Sequence, residues 1–286
     1  MVEASSWFGF ALASLISFGI GAALYKLPAR KNQSKLAVVF WMMLSSCIFS
    51  LLFFFRYLNS GNSKIILISA LWGIGYVTTT ALQMYVLNRL HVSSLFPVTT
   101  TASLVITVLS GIFLFSETIS LIQALGITLA AVTIYFFMYE KGKPQYTGVL
   151  IALGLAIIFS SSFNKILYKL GTNAGDIHFF QIYQYLFGSL VALIALIISS
   201  KSNLKREIFS GAAISGTIIG ITQFLGGYFQ LIALTKGPFS LITALSSSYV
   251  FIAAIFAYFL FGEHLTKRKV FLISLAIIAI ILIRLG

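Results

Sequence analysis

The sequence predicts an all-α integral membrane protein with ten transmembrane helices, arranged as two inverted five-helix repeats. Three observations support this fold class. The 286-residue chain is 59% hydrophobic and only 9% charged, whereas soluble domains carry roughly 25% charged residues. Its apolar residues form ten long runs, and short motifs of the first half recur in the second half.

This composition excludes a soluble globule, because a folded soluble domain needs a polar surface. The formal charge of +13 would suggest a nucleic-acid partner in a soluble protein. Here the Lys and Arg residues stand mainly between apolar runs, so we expect them to orient the chain in a lipid bilayer, with no nucleic-acid partner. Cys47 is the single cysteine, which excludes an intramolecular disulfide.

The apolar runs have the length of membrane-spanning helices. A bilayer core of about 30 Å requires about 20 apolar residues in a helix, and the runs lack the alternation of a transmembrane β-barrel. The connections are too short for a soluble domain. The predicted spans are residues 6–25, 36–55, 65–87, 92–115, 119–139, 146–168, 179–199, 208–234, 239–261 and 270–283.

Several motifs occur twice at nearly constant spacing. "FLFSE" at 113–117 returns as "FLFGE" at 259–263, and "LYKL" occurs at 24–27 and 167–170. Gln83 likewise matches Gln230. We therefore divide the chain into repeats 1–140 and 141–286, joined by "EKGKPQ" at 140–145. Because five spans is an odd number, the second repeat enters the membrane from the opposite side, as in inverted-repeat transporters.

The charge distribution predicts that both termini lie outside the cell. With this orientation most of the 19 Lys and Arg residues fall in loops on the cytoplasmic side, as the positive-inside rule requires. We expect a multi-pass protein of the cell (plasma or inner) membrane. We expect a monomer, with a dimer as the alternative.

Two segments resemble a known transporter family. "SLFPVTTTASLVITVLSGIFLFSETIS" (94–120) and "GPFSLITALSSSYVFIAAIFAYFLFGEHLT" (237–266) resemble the fourth and ninth helices, with the turns after them, of the drug/metabolite transporter superfamily. The resemblance is closest to its ten-helix EamA-like members. It implies a carrier that works by alternating access, with a cavity lined by helices one to four and six to nine and with helices five and ten at the periphery. Ser116 departs from the pattern at the position of Gly262.

The sequence favours a carrier of a small polar metabolite, such as an amino acid, sugar or nucleoside. A multidrug exporter of the same superfamily is the alternative, but the predicted spans contain no mid-membrane Asp or Glu that would pair with a cationic drug. A channel should show a continuous polar stripe, and an intramembrane enzyme should show an acid–base or metal cluster. We find neither, so we expect no catalytic residue, metal or cofactor.

The stretch "SSSFNKILYKL" (160–170) is the most polar sequence inside a span. Lys165 and Lys169 share a helix face. We expect Lys169 to reach the membrane interface, whereas Lys165, one turn deeper, either does the same or contacts an anionic or zwitterionic solute. Buried glutamines either join helices or line a cavity. The candidate substrate-binding residues are Asn164, Lys165, Gln83, Gln184, Gln223, Gln230, Trp41, Trp72, Tyr76, Tyr183 and Tyr228.

Two acidic residues at repeated positions are predicted to be structural. Glu117 and Glu263 each follow one apolar helix and shortly precede the next. A carboxylate at a helix N-terminus accepts hydrogen bonds from unpaired backbone N–H groups and stabilises the positive end of the helix dipole. We therefore predict that both glutamates cap helices.

Overall fold

The computed structural model describes residues 6–31, 33–89, 95–139, 148–200, 204–209 and 211–286, which are almost entirely helical. The helices are α1 (Ser6–Leu24), α2 (Lys26–Arg30), α3 (Lys35–Phe54), α4 (Ser63–Arg89), α5 (Leu95–Phe115), α6 (Leu121–Met138), α7 (Gly148–Ala174), α8 (Ile177–Ser199), α9 (Leu204–Ile208), α10 (Ala212–Lys236), α11 (Phe239–Ser247), α12 (Tyr249–Phe261) and α13 (Lys267–Leu285).

The described residues contain nine helical segments that are long and apolar enough to cross a membrane. One of them is formed by α11 and α12 together, which are separated only at Ser248. The tenth predicted span corresponds to α13, which has 19 residues but starts with Lys267, Arg268 and Lys269 and carries Arg284 in its last turn. The ten-helix fold class is therefore confirmed, with a last helix that is basic at both ends.

The outward faces of the helices carry large apolar side chains. Phe113 is 78% exposed, Ile198 76% and Phe259 75%. Exposing such apolar faces to water would be unfavourable, whereas the lipid chains of a membrane are apolar themselves. Inside the bundle many hydroxyl groups donate to a carbonyl of their own helix, as Ser46 and Thr107 do, which satisfies them without water. The chain is a multi-pass integral membrane protein.

The helix contacts follow a two-fold pattern that exchanges the two repeats. α1 packs on α10 just as α7 packs on α4, and α3 packs on α10 just as α8 packs on α4. The pairs α3–α8, α6–α13 and α5–α11 each join equivalent helices of the two repeats. The predicted boundary between residues 140 and 141 lies outside the described residues and stays a prediction.

Close glycine contacts repeat with the same symmetry. A Cβ atom built on Gly220 of α10 would lie 1.9 Å from the Ser45 Oγ atom of α3. A Cβ atom on Gly73 of α4 would lie 2.6 Å from the backbone nitrogen of Gly188 in α8. Real Cβ contacts are never so short, so both helix pairs require glycine at these positions. The two repeats therefore contact each other through equivalent small-residue surfaces.

The turns after the two "FLF(S/G)E" motifs have the same backbone conformation. Gly262 ends α12 with φ of +66°, and Ser116 follows α5 with φ of +53°. Left-handed conformation is unstrained for glycine but unfavourable for serine. The departure of Ser116 from the family pattern therefore leaves the shape of the turn intact and adds local strain.

Candidate functional site

A cavity of about 840 Å³ lies between the two repeats. Helices α1, α3, α4 and α5 of the first repeat contribute to its wall, as do α7, α10, α11 and α12 of the second repeat. Among the described residues, none that lines it comes from α6 or α13, which pack on each other. Its volume is within the usual range of small-molecule sites.

Among the described residues, the cavity opens toward one end of the bundle. At this mouth it reaches the segment around Pro28, Gln33 and Lys35, where neighbouring residues are exposed. At the other end it stops against Trp72 and Tyr168, which are 2% and 7% exposed. In the part of the chain that the structure describes, the cavity is therefore accessible from the side of the loop between α2 and α3.

Lys165 of α7 is the one charged residue that lines the inner part of the cavity in the portion of the chain that the structure describes. Its ammonium donates a hydrogen bond to the Ser247 hydroxyl of α11 at 3.1 Å. No carboxylate among the described residues forms an ion pair with it: Glu263 pairs with Lys26, and the Asp176 carboxylate lies 3.2 Å from the His178 ring nitrogen.

Hydroxyl groups from both repeats line the cavity at the depth of Lys165. Thr79 of α4 bonds the Ser160 hydroxyl at 2.7 Å and lies within 3.4 Å of the Asn164 amide nitrogen. Ser162 and Ser103 bond each other at 3.2 Å and thereby connect α7 to α5. Further hydroxyl side chains lining the cavity belong to Thr80, Thr99, Thr100, Ser161 and Ser246.

Aromatic rings form the inner wall. Trp72 stacks on Tyr76 with ring centroids 4.9 Å apart, and the Tyr168 ring meets Trp72 edge-on at 5.4 Å. The Trp72 indole nitrogen and the Asn164 side-chain oxygen are buried, and neither has a hydrogen-bond partner among the described residues. Leaving such buried polar groups unpaired is costly.

Comparisons with known proteins identify the fold and the family. The model of the EamA-like transporter family matches residues 5–139 and again residues 146–285. The chain belongs to the EamA-like transporter family. A solved crystal structure, titled only "Crystal structure of protein", is similar to it with a TM-score of 0.72 and 12% identity over 94% of this chain and 95% of that chain. That similarity concerns the fold alone. No protein with a curated description matches the sequence.

Seven of the predicted binding residues line the cavity of this EamA-like protein. They come from three helices, α4, α7 and α10, and include the repeat-related pair of glutamines. These residues are Trp72, Tyr76, Gln83, Asn164, Lys165, Gln223 and Gln230. Their lining position agrees with the predicted location of the site, and their role in binding stays a prediction.

The four other predicted residues do not line the cavity. The Trp41 indole N–H donates to the Ile208 carbonyl at 2.7 Å, so it joins α3 to α9. Tyr183 stacks on Phe179 at 4.3 Å. Tyr228 packs against Phe54 with ring centroids 4.9 Å apart.

Gln184 is fully buried behind the wall. Its amide nitrogen lies 3.4 Å from the Tyr168 hydroxyl, so it contacts the cavity only through that ring. These four side chains lie outside the lining of the cavity, and their role in binding stays a prediction.

The two repeated glutamates have different partners. Glu117 accepts hydrogen bonds from the backbone N–H groups of Phe239 and Ser240 and from the Ser240 hydroxyl. It therefore caps α11 of the other repeat, whereas α6, which follows it in the chain, is capped by Ser120.

Glu263 pairs with Lys26 at the mouth end, and the first turn of α13 is capped by Thr266. The predicted location of both caps, in the next helix along the chain, is thus corrected. The described structure gives Glu263 an ion pair in place of a cap.

Sequence reasoning missed the hydroxyl side chains and two tyrosines of the cavity. Tyr25, at the end of α1, and Tyr249, at the start of α12, line it together with the serines and threonines. One signal was available: three threonines at 99–101 correspond by the repeat to three serines at 246–248. Members of both sets lie at the cavity, where they form equivalent parts of the wall.

Proposed function

We propose that this EamA-like transporter is a secondary carrier that moves a small polar organic metabolite across the membrane by alternating access. The cavity supports the proposal, because it lies between two repeats, has hydrogen-bonding groups from both, and, among the described residues, opens toward the mouth. In inverted-repeat transporters the substrate site lies between the repeats, which rock against each other around it. The plasma or inner membrane is part of the proposal.

The end opposite the mouth has the contacts expected of a closed gate. There Glu117 of the first repeat holds the N-terminus of α11 in the second repeat. Lys169 of α7 donates to the Leu234 carbonyl of α10 at 2.8 Å and interacts electrostatically with Glu117. The contacts of Glu117 with α11 and with Lys169 join the two repeats, whereas the Lys169–Leu234 bond lies within the second repeat. Opening this end would break the Glu117 contacts, and the mouth would close by the equivalent motion of the repeats.

The alternative, export of cationic drugs, has less support. A cation in a low-dielectric site needs a carboxylate partner, and none of the described residues that line the cavity is Asp or Glu. The hydroxyl and amide groups of the wall suit a hydrogen-bonding metabolite better. An amino acid, a sugar and a nucleoside would each fit the volume.

A counterflow experiment tests the carrier proposal. A metabolite library is first screened for compounds that raise the melting temperature of the purified protein, because a ligand of the folded state stabilises it. Proteoliposomes are then preloaded with an unlabelled hit and exposed to a trace of the labelled compound. We expect transient accumulation of label above equilibrium, which only a carrier produces. Uptake that is linear in concentration and shows no counterflow would indicate a channel and refute the proposal.

A further inference from the structure

We infer that the transported solute is an organic acid, whose carboxylate or phosphate group binds at Lys165 and Ser247 and whose flat apolar part lies against Trp72 and Tyr76. This inference rests on the proposed function and names its substrate class. It follows from the charge inside the cavity, the unused donors on the lysine, and the position of the aromatic wall.

The charge inside the cavity comes from Lys165. The other charged residue among the described lining residues is Lys35, an exposed side chain at the mouth. A cation that is removed from water is costly unless an anion or several hydrogen bonds compensate it. Two carboxylates of the described residues are engaged elsewhere: Glu117 caps α11, and Glu263 pairs with Lys26.

The lysine has donors left for a ligand. An ammonium group carries three N–H donors, and the partner found for Lys165 in the described structure is the Ser247 hydroxyl. An oxyanion next to the Lys165 ammonium and the Ser247 hydroxyl would accept hydrogen bonds from the ammonium and from a neighbouring hydroxyl. Charge-assisted bonds of this type are the strong hydrogen bonds of proteins, so the anion would stabilise the buried lysine.

The aromatic wall begins one helical turn from the lysine. Tyr168 follows Lys165 by three positions on α7, which gives both side chains the same helix face. The Tyr168 ring contacts Trp72, and Trp72 stacks on Tyr76. A flat apolar group attached to the anion would therefore reach these rings.

Matched pairs of probes test the inference before the solute itself is identified. The probes are phenylacetate with phenylacetamide, indole-3-acetate with indole-3-acetamide, and adenosine monophosphate with adenosine. The first two pairs test a carboxylate and the third tests a phosphate. The melting temperature of the purified protein is measured with each compound at several concentrations. We expect at least one acid to raise the melting temperature at concentrations at least tenfold lower than its neutral counterpart.

Three variants assign the effect to the lysine. Lys165→Met should abolish the preference for the acid, and Lys165→Arg should retain it, because the charge remains. Lys169→Met is the matched control: this lysine lies one turn away on the same helix and donates to the Leu234 carbonyl. It should leave the preference for acids unchanged. Circular dichroism and size-exclusion chromatography establish that each variant is folded.

Several results would overturn the inference. It fails if no acid in the panel binds better than its neutral counterpart, or if the preference for acids survives in Lys165→Met or is lost equally in Lys169→Met. The carrier proposal is independent of these results. A neutral or cationic solute that shows counterflow would leave the carrier proposal intact and remove the organic acid. A bound acid without counterflow would remove the carrier proposal and leave only an anion-binding site at Lys165.

Discussion

The carboxylate of Glu117 accepts a hydrogen bond of 2.9 Å from the backbone N–H of Ser240 and one of 2.6 Å from its hydroxyl. The two residues belong to different repeats and are 123 positions apart. Gly111 allows this approach, because a Cβ atom there would lie 1.8 Å from the Ser240 Oγ atom. A side chain of the first repeat thus caps a helix of the second.

We predict that Glu117→Gln destabilises the protein by about 1 kcal/mol, the usual effect of losing a helix cap. The amide can accept fewer hydrogen bonds from α11 and does not stabilise its dipole as a carboxylate does. Chemical unfolding in detergent measures the change. Glu263→Gln is the matched variant, and it should cost about 0.5 kcal/mol or less, because the Lys26–Glu263 pair is exposed to solvent. Equal losses in both variants would contradict this account.

The repeated turns provide a second prediction. Serine at φ of +53° is strained, whereas glycine at φ of +66° is not. Ser116→Gly should therefore raise the midpoint of thermal unfolding, and Gly262→Ala should lower stability by about 1 kcal/mol. No atom lies within 4 Å of a Cβ built on Gly262, so backbone strain alone would act. A stabilising Gly262→Ala would show that the turn relaxes.

A third prediction concerns the contact between α4 and α8. Gly73→Leu should prevent stable folding, because even a Cβ atom would lie 2.6 Å from the Gly188 backbone nitrogen. Gly9→Leu is the control, since a Cβ atom on Gly9 meets nothing within 4 Å. The yield of monodisperse protein after detergent extraction measures both. Normal yield of Gly73→Leu would mean that the two helices are not held this closely.

The orientation in the membrane gives a fourth prediction. The mouth end carries Lys26, Arg30 and the basic start of α13, and α1 and α13 both have their other ends at the far side of the bundle. The positive-inside rule then predicts a mouth in the cytoplasm and termini outside. A reporter that is active only outside the cytoplasm should therefore give a signal when it is fused after Gly286. Activity of a cytoplasm-specific reporter at that position would reverse the orientation.

The helices and the repeat could be predicted from the sequence because each depends on local information. An apolar run of sufficient length specifies a span, and "FLFSE" with "FLFGE" reveals the duplication. The rotation of each helix is not local: Trp41 and Tyr228 are as aromatic as Trp72 and Tyr76, but packing turns them away from the cavity.

The hydroxyl groups of the wall could not be assigned for a related reason. A serine or threonine in a helix satisfies itself by donating to its own backbone, as Thr79 does to the Gly75 carbonyl. Its sequence position therefore fits a buried, a lipid-facing or a cavity location equally well. The sequence predicts that Glu117 caps a helix, but the N–H groups that it contacts belong to α11 in the other repeat, and no short-range pattern predicts such a contact.

Access to the cavity from each side of the membrane tests alternating access most directly. In a Cys47→Ala background, which has no other cysteine, Thr80→Cys introduces a thiol that lines the cavity. Thr133→Cys, fully buried in α6, is the unreactive control. A membrane-impermeant thiol reagent is applied to right-side-out and to inside-out vesicles. We predict that Thr80→Cys reacts from both faces and more slowly from the closed one. Reaction from the mouth face only, however long the exposure, would contradict the carrier mechanism.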